Sequence, residues 1–168
     1  APLCHEVIVV TGHDRDGLVA ALGRRPFREA PGSPDGDMFD SIHAGLDVCA
    51  QADPARPVLL HPGDQPEVQG ATIRMLLEAS RANPDLVILP TRDGRGGHPV
   101  LIPPAMLERI REWRAASDFG RDGPERREGG LAGFWRSHAA HVLRLSTTDA
   151  GACRDIDTPA DYRAASAP

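Results

Sequence analysis

Four short runs of aliphatic residues set the framework of this sequence. They are Val7–Val10, Val58–Leu60, Leu86–Leu89 and Val100–Ile102. Uninterrupted apolar runs of this length are typical of strands that are buried on both faces of a sheet. Apolar residues at helical spacing fill two of the intervening segments, 38–52 and 72–82. Strands that alternate with helices predict an α/β fold with a doubly wound, mostly parallel sheet and helices on both faces.

Size, charge and cysteine content narrow the class of protein. A chain of 168 residues is long enough for one domain with a sizeable core. The 24 acidic residues outnumber the 19 basic ones and give a net charge of −5, which argues against nucleic acid as a partner. No apolar run approaches the length of a membrane span, so no membrane contact is expected. The 3 cysteines are far apart, which favours reduced thiols in the cytoplasm.

The segment Gly63–Pro66 follows the second apolar run and contains one bare carboxylate. A buried strand that ends here delivers Asp64 to the carboxyl edge of a parallel sheet, where α/β folds bind ligands. We therefore expect Asp64 to hold a metal ion and to face phosphate. The alternative is an ordinary turn, since all four residue types in this segment suit turns.

Two more carboxylates, Asp155 and Asp157, precede a helix that we expect to begin at Pro159. Side chains alternate along an extended segment, so these two carboxylates point the same way and can face a common site. Alternatively, both are solvated loop acids, and Thr158 is simply the cap of the closing helix.

Two loops offer backbone groups that suit a ligand. Gly94–Pro99 is rich in glycine, which permits close approach to a ligand, and His98 adds a donor. It can equally be a flexible hairpin tip with a solvent-exposed histidine. Gly36–Ile42 opens a helix whose free N–H groups suit a phosphate or a carboxylate. Its alternative is a capped helix with Met38 and Phe39 packed in the core.

These segments occur in the order Gly-Asp-Met-Phe-Asp-Ser-Ile, Gly-Asp-Gln-Pro, Gly-Gly-His-Pro and Asp-Ile-Asp-Thr-Pro-Ala-Asp-Tyr. In this order and spacing they resemble the MobA-like nucleotidyltransferase family, which includes molybdenum-cofactor cytidylyltransferases and guanylyltransferases. The resemblance extends from Val7 to Tyr162. It implies a Rossmann-like fold of the nucleotide-diphospho-sugar transferase type.

The resemblance also implies roles for individual residues. Asp64 and Asp157 would be catalytic and would together hold Mg²⁺ between the triphosphate and the acceptor, with Asp155 supporting them. The glycine–histidine–proline turn would border the pterin-like acceptor, and the loop of Ser41 would lie near the cleft between nucleotide and acceptor. The implied substrate-binding residues are Ser41, Gln65, Gly97, His98, Pro99 and Asp155.

The implied reaction is attack of a terminal phosphate of a molybdopterin-like acceptor on the α-phosphorus of an NTP, with release of pyrophosphate. The Gly-Asp-Gln-Pro and Gly-His-Pro forms favour CTP over GTP. A sugar-phosphate or other small-molecule nucleotidyltransferase is the alternative within the fold. Two alternatives lie outside this activity: a non-catalytic accessory module that binds molybdopterin or a molybdoenzyme, and an unrelated doubly wound domain.

One part of the family pattern has no counterpart here. Family members begin with a strand and a Leu-Ala-Ala-Gly-x-Ser-x-Arg-Met-Gly loop with a downstream lysine, which hold the nucleotide. No such loop occurs in this sequence. We therefore expect residues 1–168 to form one nucleotidyltransferase domain that lacks the first strand, the nucleotide loop and the first helix. We expect such a chain to bind NTP inefficiently, and to self-associate or use a partner.

Overall fold

Strands and helices alternate along the chain, as the sequence pattern predicts. The computed structural model describes residues 3–116 and 130–165. In chain order the elements are β1 (Ile8–Thr11), α1 (Arg15–Leu22), β2 (Arg28–Pro31), α2 (Met38–Ala52), β3 (Val58–Leu60), α3 (Gly70–Ala82), β4 (Val87–Arg92), β5 (Arg95–Gly96), β6 (Val100–Ile102), α4 (Pro104–Ala116), α5 (Leu131–Ser137), β7 (Val142–Ser146) and α6 (Pro159–Ala165). Two 3₁₀ turns, Ala139–His141 and Ala150–Cys153, precede and follow β7.

The described residues form two compact units. The first takes in those up to Arg56 and those from Leu107 to Ser137. Its strands β1 and β2 pair in parallel, and α2 packs against both. Helix α2 begins at Met38, as predicted, because Asp37 and Asp40 form a reciprocal capping box. Each of their side chains accepts a hydrogen bond from the backbone N–H of the other.

The second unit takes in the described residues from Pro57 to Met106 and from His138 onward, and it contains the larger sheet. Ile88 of β4 pairs with Leu101 of β6 on one side and with Leu143 of β7 on the other, so the strand order is β3-β6-β4-β7. Strand β6 is antiparallel to both of its neighbours, whereas β4 and β7 are parallel. Strands β3, β4 and β7 therefore point the same way, and their carboxyl ends meet at one edge of the sheet.

The predicted α/β class is confirmed, and one short connection makes this sheet mixed. Only residues 93–99 separate β4 from β6. Parallel neighbours need a crossover of roughly a dozen residues or more, so a connection of this length returns the chain antiparallel. The same connection contains β5, which pairs with the end of β4 at Thr91 and Arg92. The aliphatic runs predict the strands, but they do not reveal the direction of β6.

The core of the second unit is aliphatic. Leu76 of α3, Ile88 and Leu101 are fully buried against one another. Burial of each such side chain stabilises the fold by roughly 1.5–3 kcal/mol. Predicted element ends differ from the structure by about two residues: α3 begins at Gly70 instead of Thr72.

The charged, glycine-rich segment 115–130 was predicted to be a loop. Residues 117–129 of this segment lie outside the described part of the chain. Before them α4 ends at Ala116, and after them α5 begins at Leu131. Within the part of the chain that the structure describes, no helix has the length and apolar character that crossing a membrane requires.

Candidate functional site

The turn that carries Asp64 is hydrogen-bonded to the segment that carries Asp155 and Asp157. The backbone N–H of Ile156 donates to the carbonyl oxygen of Asp64 at 2.8 Å. Because Ile156 lies between the other two acids in the sequence, this bond brings the backbone of all three acidic residues to the same region of the carboxyl edge of the sheet. All three residues are exposed, so the concentration of negative charge costs little desolvation.

Gln65 joins the same two segments through its side chain. The residue is only 5% exposed. Its amide nitrogen Nε2 donates to Oδ1 of Asp155 at 2.5 Å. The backbone carbonyl oxygen of Gln65 lies 2.9 Å from Nε2 of His61. Because a carbonyl oxygen only accepts hydrogen bonds, Nε2 of His61 carries the proton and donates it to this bond. The amide oxygen of Gln65 has no hydrogen-bond partner among the described residues.

His98 lies on the other side of this site, at the start of the chain that leads into β6. Its backbone N–H donates to the carbonyl oxygen of Ala152 at 2.7 Å. Burial of the imidazole lowers its pKa from the ordinary value of 6.5; His61 lowers the pKa further, and Asp155 and Asp64 oppose both effects. His98 is therefore neutral at pH 7. Its Nδ1 is buried and has no partner in the described part of the chain.

Gly97 and Pro99 hold the backbone of His98 in place. Both are buried. A Cβ atom on Gly97 would lie 2.2 Å from the carbonyl oxygen of Ala152 and 2.7 Å from Sγ of Cys153, so only glycine fits this close approach. Gly97 and Pro99 are predicted to border the acceptor. Because both are buried, they can do so only by fixing the position of His98.

A groove of about 440 Å³ opens beside Asp64, between its turn and α6. Its walls are mostly apolar. Tyr162, which lines the groove, is 65% exposed. At the rim, Glu67 forms an ion pair with Arg154 at 3.0 Å. The volume is within the range of pockets that bury a small organic ligand. The groove is lined by Gly63, Asp64, Pro66, Glu67, Ile156, Tyr162 and Ala165.

The donor set suits a hard divalent cation. Carboxylate oxygens are the protein ligands that Mg²⁺ and Mn²⁺ prefer. Among the described residues, no group of three or more His, Cys, Asp or Glu side chains is arranged to hold a metal ion. Mg²⁺ takes one or two protein carboxylates and completes its coordination with substrate phosphates and water, so exposed carboxylates such as those of Asp64 and Asp157 are of the kind that would suit it.

Ser41 belongs to the first unit, in the first turn of α2. Its hydroxyl donates to the carbonyl oxygen of Asp37 at 3.4 Å, which is a bond within the helix. Its role near a nucleotide stays a prediction. The alternative of a capped helix with two core residues is half right: the cap is present and Phe39 packs edge-on against His43, but Met38 is 78% exposed.

Two residues that shape the site were not singled out from the sequence. His61 holds the carbonyl group of Gln65, and Asp149 is buried beneath the segment that leads to Asp155. Asp149 accepts hydrogen bonds from Thr72, Gln69 and Gly151 at 2.6, 2.8 and 2.9 Å. The bond to Gly151 is an Asx turn, which an aspartate two residues before a glycine favours. The bonds to α3 have no local signal, because their partners lie far away in the sequence.

Comparison with known proteins gives both a family and a fold. A family model described as a MobA-like NTP transferase domain matches residues 1–127. None of the curated proteins matches the chain.

Several solved structures share this fold. The crystal structure of Rv0371c from Mycobacterium tuberculosis H37Rv is 20% identical, with a TM-score of 0.70, over 96% of this chain and 75% of that one. A manganese complex of Rv0371C from the same organism is 21% identical, with a TM-score of 0.65, over 95% and 76%. The structure of CMP:2-keto-3-deoxy-manno-octonic acid synthetase complexed with CTP is 16% identical, with a TM-score of 0.62, over 95% and 78%. The predicted nucleotide-sugar transferase-like fold is confirmed.

Proposed function

Because this chain belongs to the family of MobA-like NTP transferase domains, and is a nucleotidyltransferase domain by that membership, we propose that it transfers a cytidylyl group from CTP to a molybdopterin-like acceptor. Asp64 and Asp157 are the proposed ligands of the divalent cation, which is Mg²⁺ in this reaction. Asp155 supports them, and His98 borders the acceptor.

The observation that carries this proposal is the hydrogen bond between the Asp64 carbonyl and the Ile156 N–H. It connects the two acidic motifs that the family resemblance names, although these motifs are far apart in the sequence. These carboxylates are exposed at the carboxyl edge of the sheet, which is the edge where α/β folds bind phosphate-containing ligands. A solved structure of the same fold is a manganese complex, which supports the binding of a divalent cation by a protein of this fold.

In the proposed reaction, an oxygen of the acceptor's terminal phosphate forms a bond to the α-phosphorus of CTP. The bond from that phosphorus to the bridging oxygen of the β-phosphate breaks, and pyrophosphate leaves. Such a transfer needs charge neutralisation and in-line positioning more than covalent help from the protein. Mg²⁺, when bound, supplies the positive charge that the triphosphate and acceptor phosphate share.

The chain's own residues orient the reactants. Asp64 and Asp157 would hold the cation from two different segments, which the bond between Asp64 and Ile156 keeps together. The neutral imidazole of His98 is a hydrogen-bond partner that adds no charge to the acceptor side. The apolar groove walls at Pro66, Ile156 and Tyr162 offer a surface on which a flat heterocycle packs.

The nucleobase and the acceptor are the finer parts of the proposal. The Gly-Asp-Gln-Pro and Gly-His-Pro forms support CTP over GTP, and the synthetase of the same fold binds CTP. That synthetase acts on 2-keto-3-deoxy-manno-octonic acid, so a sugar acid is the competing acceptor class. The test must therefore compare both bases and both acceptor classes.

The experiment measures pyrophosphate release at millimolar CTP or GTP with Mg²⁺, using molybdopterin, a sugar 1-phosphate or a sugar acid as acceptor. We expect release with molybdopterin, faster with CTP than with GTP, and lowered about 100-fold by Asp64→Asn. The control is Asp85→Asn, because Asp85 is an exposed acid in the same unit, away from the groove.

Three results would contradict the proposal. Equal or faster release with a sugar acceptor would move the chain to that substrate class. Full activity in Asp64→Asn would remove the proposed cation site. If Asp64→Asn instead leaves binding of a molybdoenzyme intact in a chain without turnover, the chain is an accessory binding module.

A further inference from the structure

Gln65 links the turn that carries Asp64 to the segment that carries Asp155. Its side chain is 5% exposed, so an incoming substrate does not reach it without moving the turn. The amide orientation is fixed by its partner: the Asp155 carboxylate accepts hydrogen bonds only, so Nε2 must face it. The His61 imidazole, in turn, holds the carbonyl group of Gln65.

Two bonds between the segments run in register with one another. Asp64 pairs through its carbonyl oxygen with the N–H of Ile156, and Gln65 pairs through its amide with Asp155. Successive side chains of an extended segment point to opposite faces. In such a segment Asp157 shares a face with Asp155, so a slip of one residue in this pairing would turn both carboxylates away from the face on which Asp155 meets Gln65.

We propose that Gln65 is a positioning residue, whose amide fixes the register of the Asp155–Asp157 segment so that Asp64 and Asp157 act on one cation. Gln65 acts through Asp155 and does not itself bind the substrate. This inference rests on the proposed function of Asp64 and Asp157.

Four variants of the full chain test it: Gln65→Met, Gln69→Met, Gln65→Glu and a double variant. Gln65→Met keeps the length and volume of the side chain and removes the amide. Gln69→Met is the matched control, because Gln69 is an exposed glutamine of the same unit whose side chain makes no capping bond. The double variant Gln65→Glu with Asp155→Asn reverses donor and acceptor, and it restores the bond that Gln65→Glu alone breaks.

Two measurements separate a positioning role from a general loss of stability. The first is the hydrogen-exchange rate of the Ile156 amide by NMR, which reports the bond to Asp64 directly. The second is the affinity for Mn²⁺ alone, measured by electron paramagnetic resonance. Melting temperatures are recorded beside both.

We expect Gln65→Met to speed exchange of the Ile156 amide about tenfold and to weaken Mn²⁺ binding about tenfold, with Gln69→Met at the wild-type values. We expect Gln65→Glu to speed exchange and the double variant to slow it again. Unchanged exchange in Gln65→Met, or no recovery in the double variant, would overturn the proposed register.

Mn²⁺ binding separates this inference from the proposed function. Faster exchange with unchanged Mn²⁺ affinity in Gln65→Met would overturn the positioning role and leave the cation site standing. If the wild-type chain binds no Mn²⁺ through Asp64 and Asp157, the proposed function fails, and the positioning role fails with it. The exchange rates then describe only the architecture of the two segments.

Discussion

The carbonyl oxygen of Asp64 lies 2.8 Å from the backbone nitrogen of Ile156. Asp64 follows β3 and Ile156 follows β7, and these two strands point the same way in the sheet. The bond is made by backbone atoms, so it uses neither the carboxylate of Asp64 nor that of Asp157. Two short acidic motifs, each compatible with an ordinary loop, thus lie side by side in the structure.

Asp149 is expected to be the most sensitive polar residue of the second unit. Asp149→Ala leaves the hydroxyl of Thr72 and the N–H groups of Gln69 and Gly151 without their acceptor in a region where Asp149 is 3% exposed. Buried donors without a partner cost about 1–3 kcal/mol each, so we expect a loss of about 3 kcal/mol or more in the free energy of unfolding. Urea denaturation measures it.

The control for this variant is Asp85→Ala, which removes an exposed acid of the same unit. We expect it to change the free energy of unfolding by less than about 0.5 kcal/mol. Equal effects of the two substitutions would show that the Asp149 hydrogen bonds contribute nothing beyond charge.

Gly97→Ala is expected to displace His98. The new methyl group would lie 2.2 Å from the carbonyl oxygen of Ala152, and the N–H of His98 donates to that same oxygen. The backbone must shift, at a cost of about 1–3 kcal/mol. Thermal unfolding and the chemical shifts of the His98 ring report the two effects. Gly12→Ala is the control, because a Cβ there meets no atom within 4 Å; a Gly97→Ala protein as stable as this control would contradict the packing.

His98 is expected to make stability depend on pH. Its pKa is lowered in the folded protein, first by burial and then by His61, against the opposing effect of Asp155 and Asp64. Below pH 6.5 the unfolded chain therefore protonates His98, whereas the folded chain keeps the imidazole neutral until the pH falls to its lower folded pKa. The contribution is fully present above pH 6.5 and is lost as the pH falls through the folded pKa.

NMR titration of the His98 ring and urea denaturation across this range test the expectation. The ring should titrate below 6.5, and His98→Asn should flatten the fall in the free energy of unfolding towards acid pH. His5→Asn, which removes an exposed histidine of the first unit, serves as the control. A His98 ring that titrates at or above 6.5 would refute the burial argument.

Nucleotide affinity is expected to be low for residues 1–168. The sequence has no counterpart of the Leu-Ala-Ala-Gly loop that holds the triphosphate in family members. We expect dissociation constants for CTP and GTP weaker than about 1 mM, that is, binding free energies smaller than about 4 kcal/mol. Isothermal titration calorimetry with Mg²⁺ measures them. Tight, Mg²⁺-dependent binding of either nucleotide would contradict this prediction.

The sequence predicts most of the elements and less of the site. Helix α2 begins at Met38 because its capping residues, Asp37 and Asp40, are local in the chain, and local signals can be read from sequence. The direction of β6 follows from the short connection of residues 93–99, so the hairpin alternative for Gly94–Pro99 is the one that matches the mixed sheet. The aliphatic runs alone predict the strands but not their directions.

The hydrogen bonds that position the acidic residues are long-range. The sequence therefore indicates the carboxylates but not the bonds that hold their segments in place. The bond from Gln65 to Asp155 joins residues 90 positions apart, and that from Thr72 to Asp149 joins residues 77 positions apart. Nothing in the flanking residues of Gln65 or Asp149 indicates these partners. The sequence predicts that Gln65 binds substrate; in the structure its side-chain amide donates to Asp155 within the protein, which supports the positioning role proposed above.

The most direct test of the account is a Mn²⁺ titration of the wild-type chain, Asp64→Asn and Asp157→Asn, followed by electron paramagnetic resonance, with Asp85→Asn as the control. If Asp64 and Asp157 hold one cation, the wild-type chain and the control bind a single Mn²⁺ with the same affinity. Each of the other two variants then loses at least about tenfold in affinity. Wild-type affinity in either Asp64→Asn or Asp157→Asn would contradict the shared site.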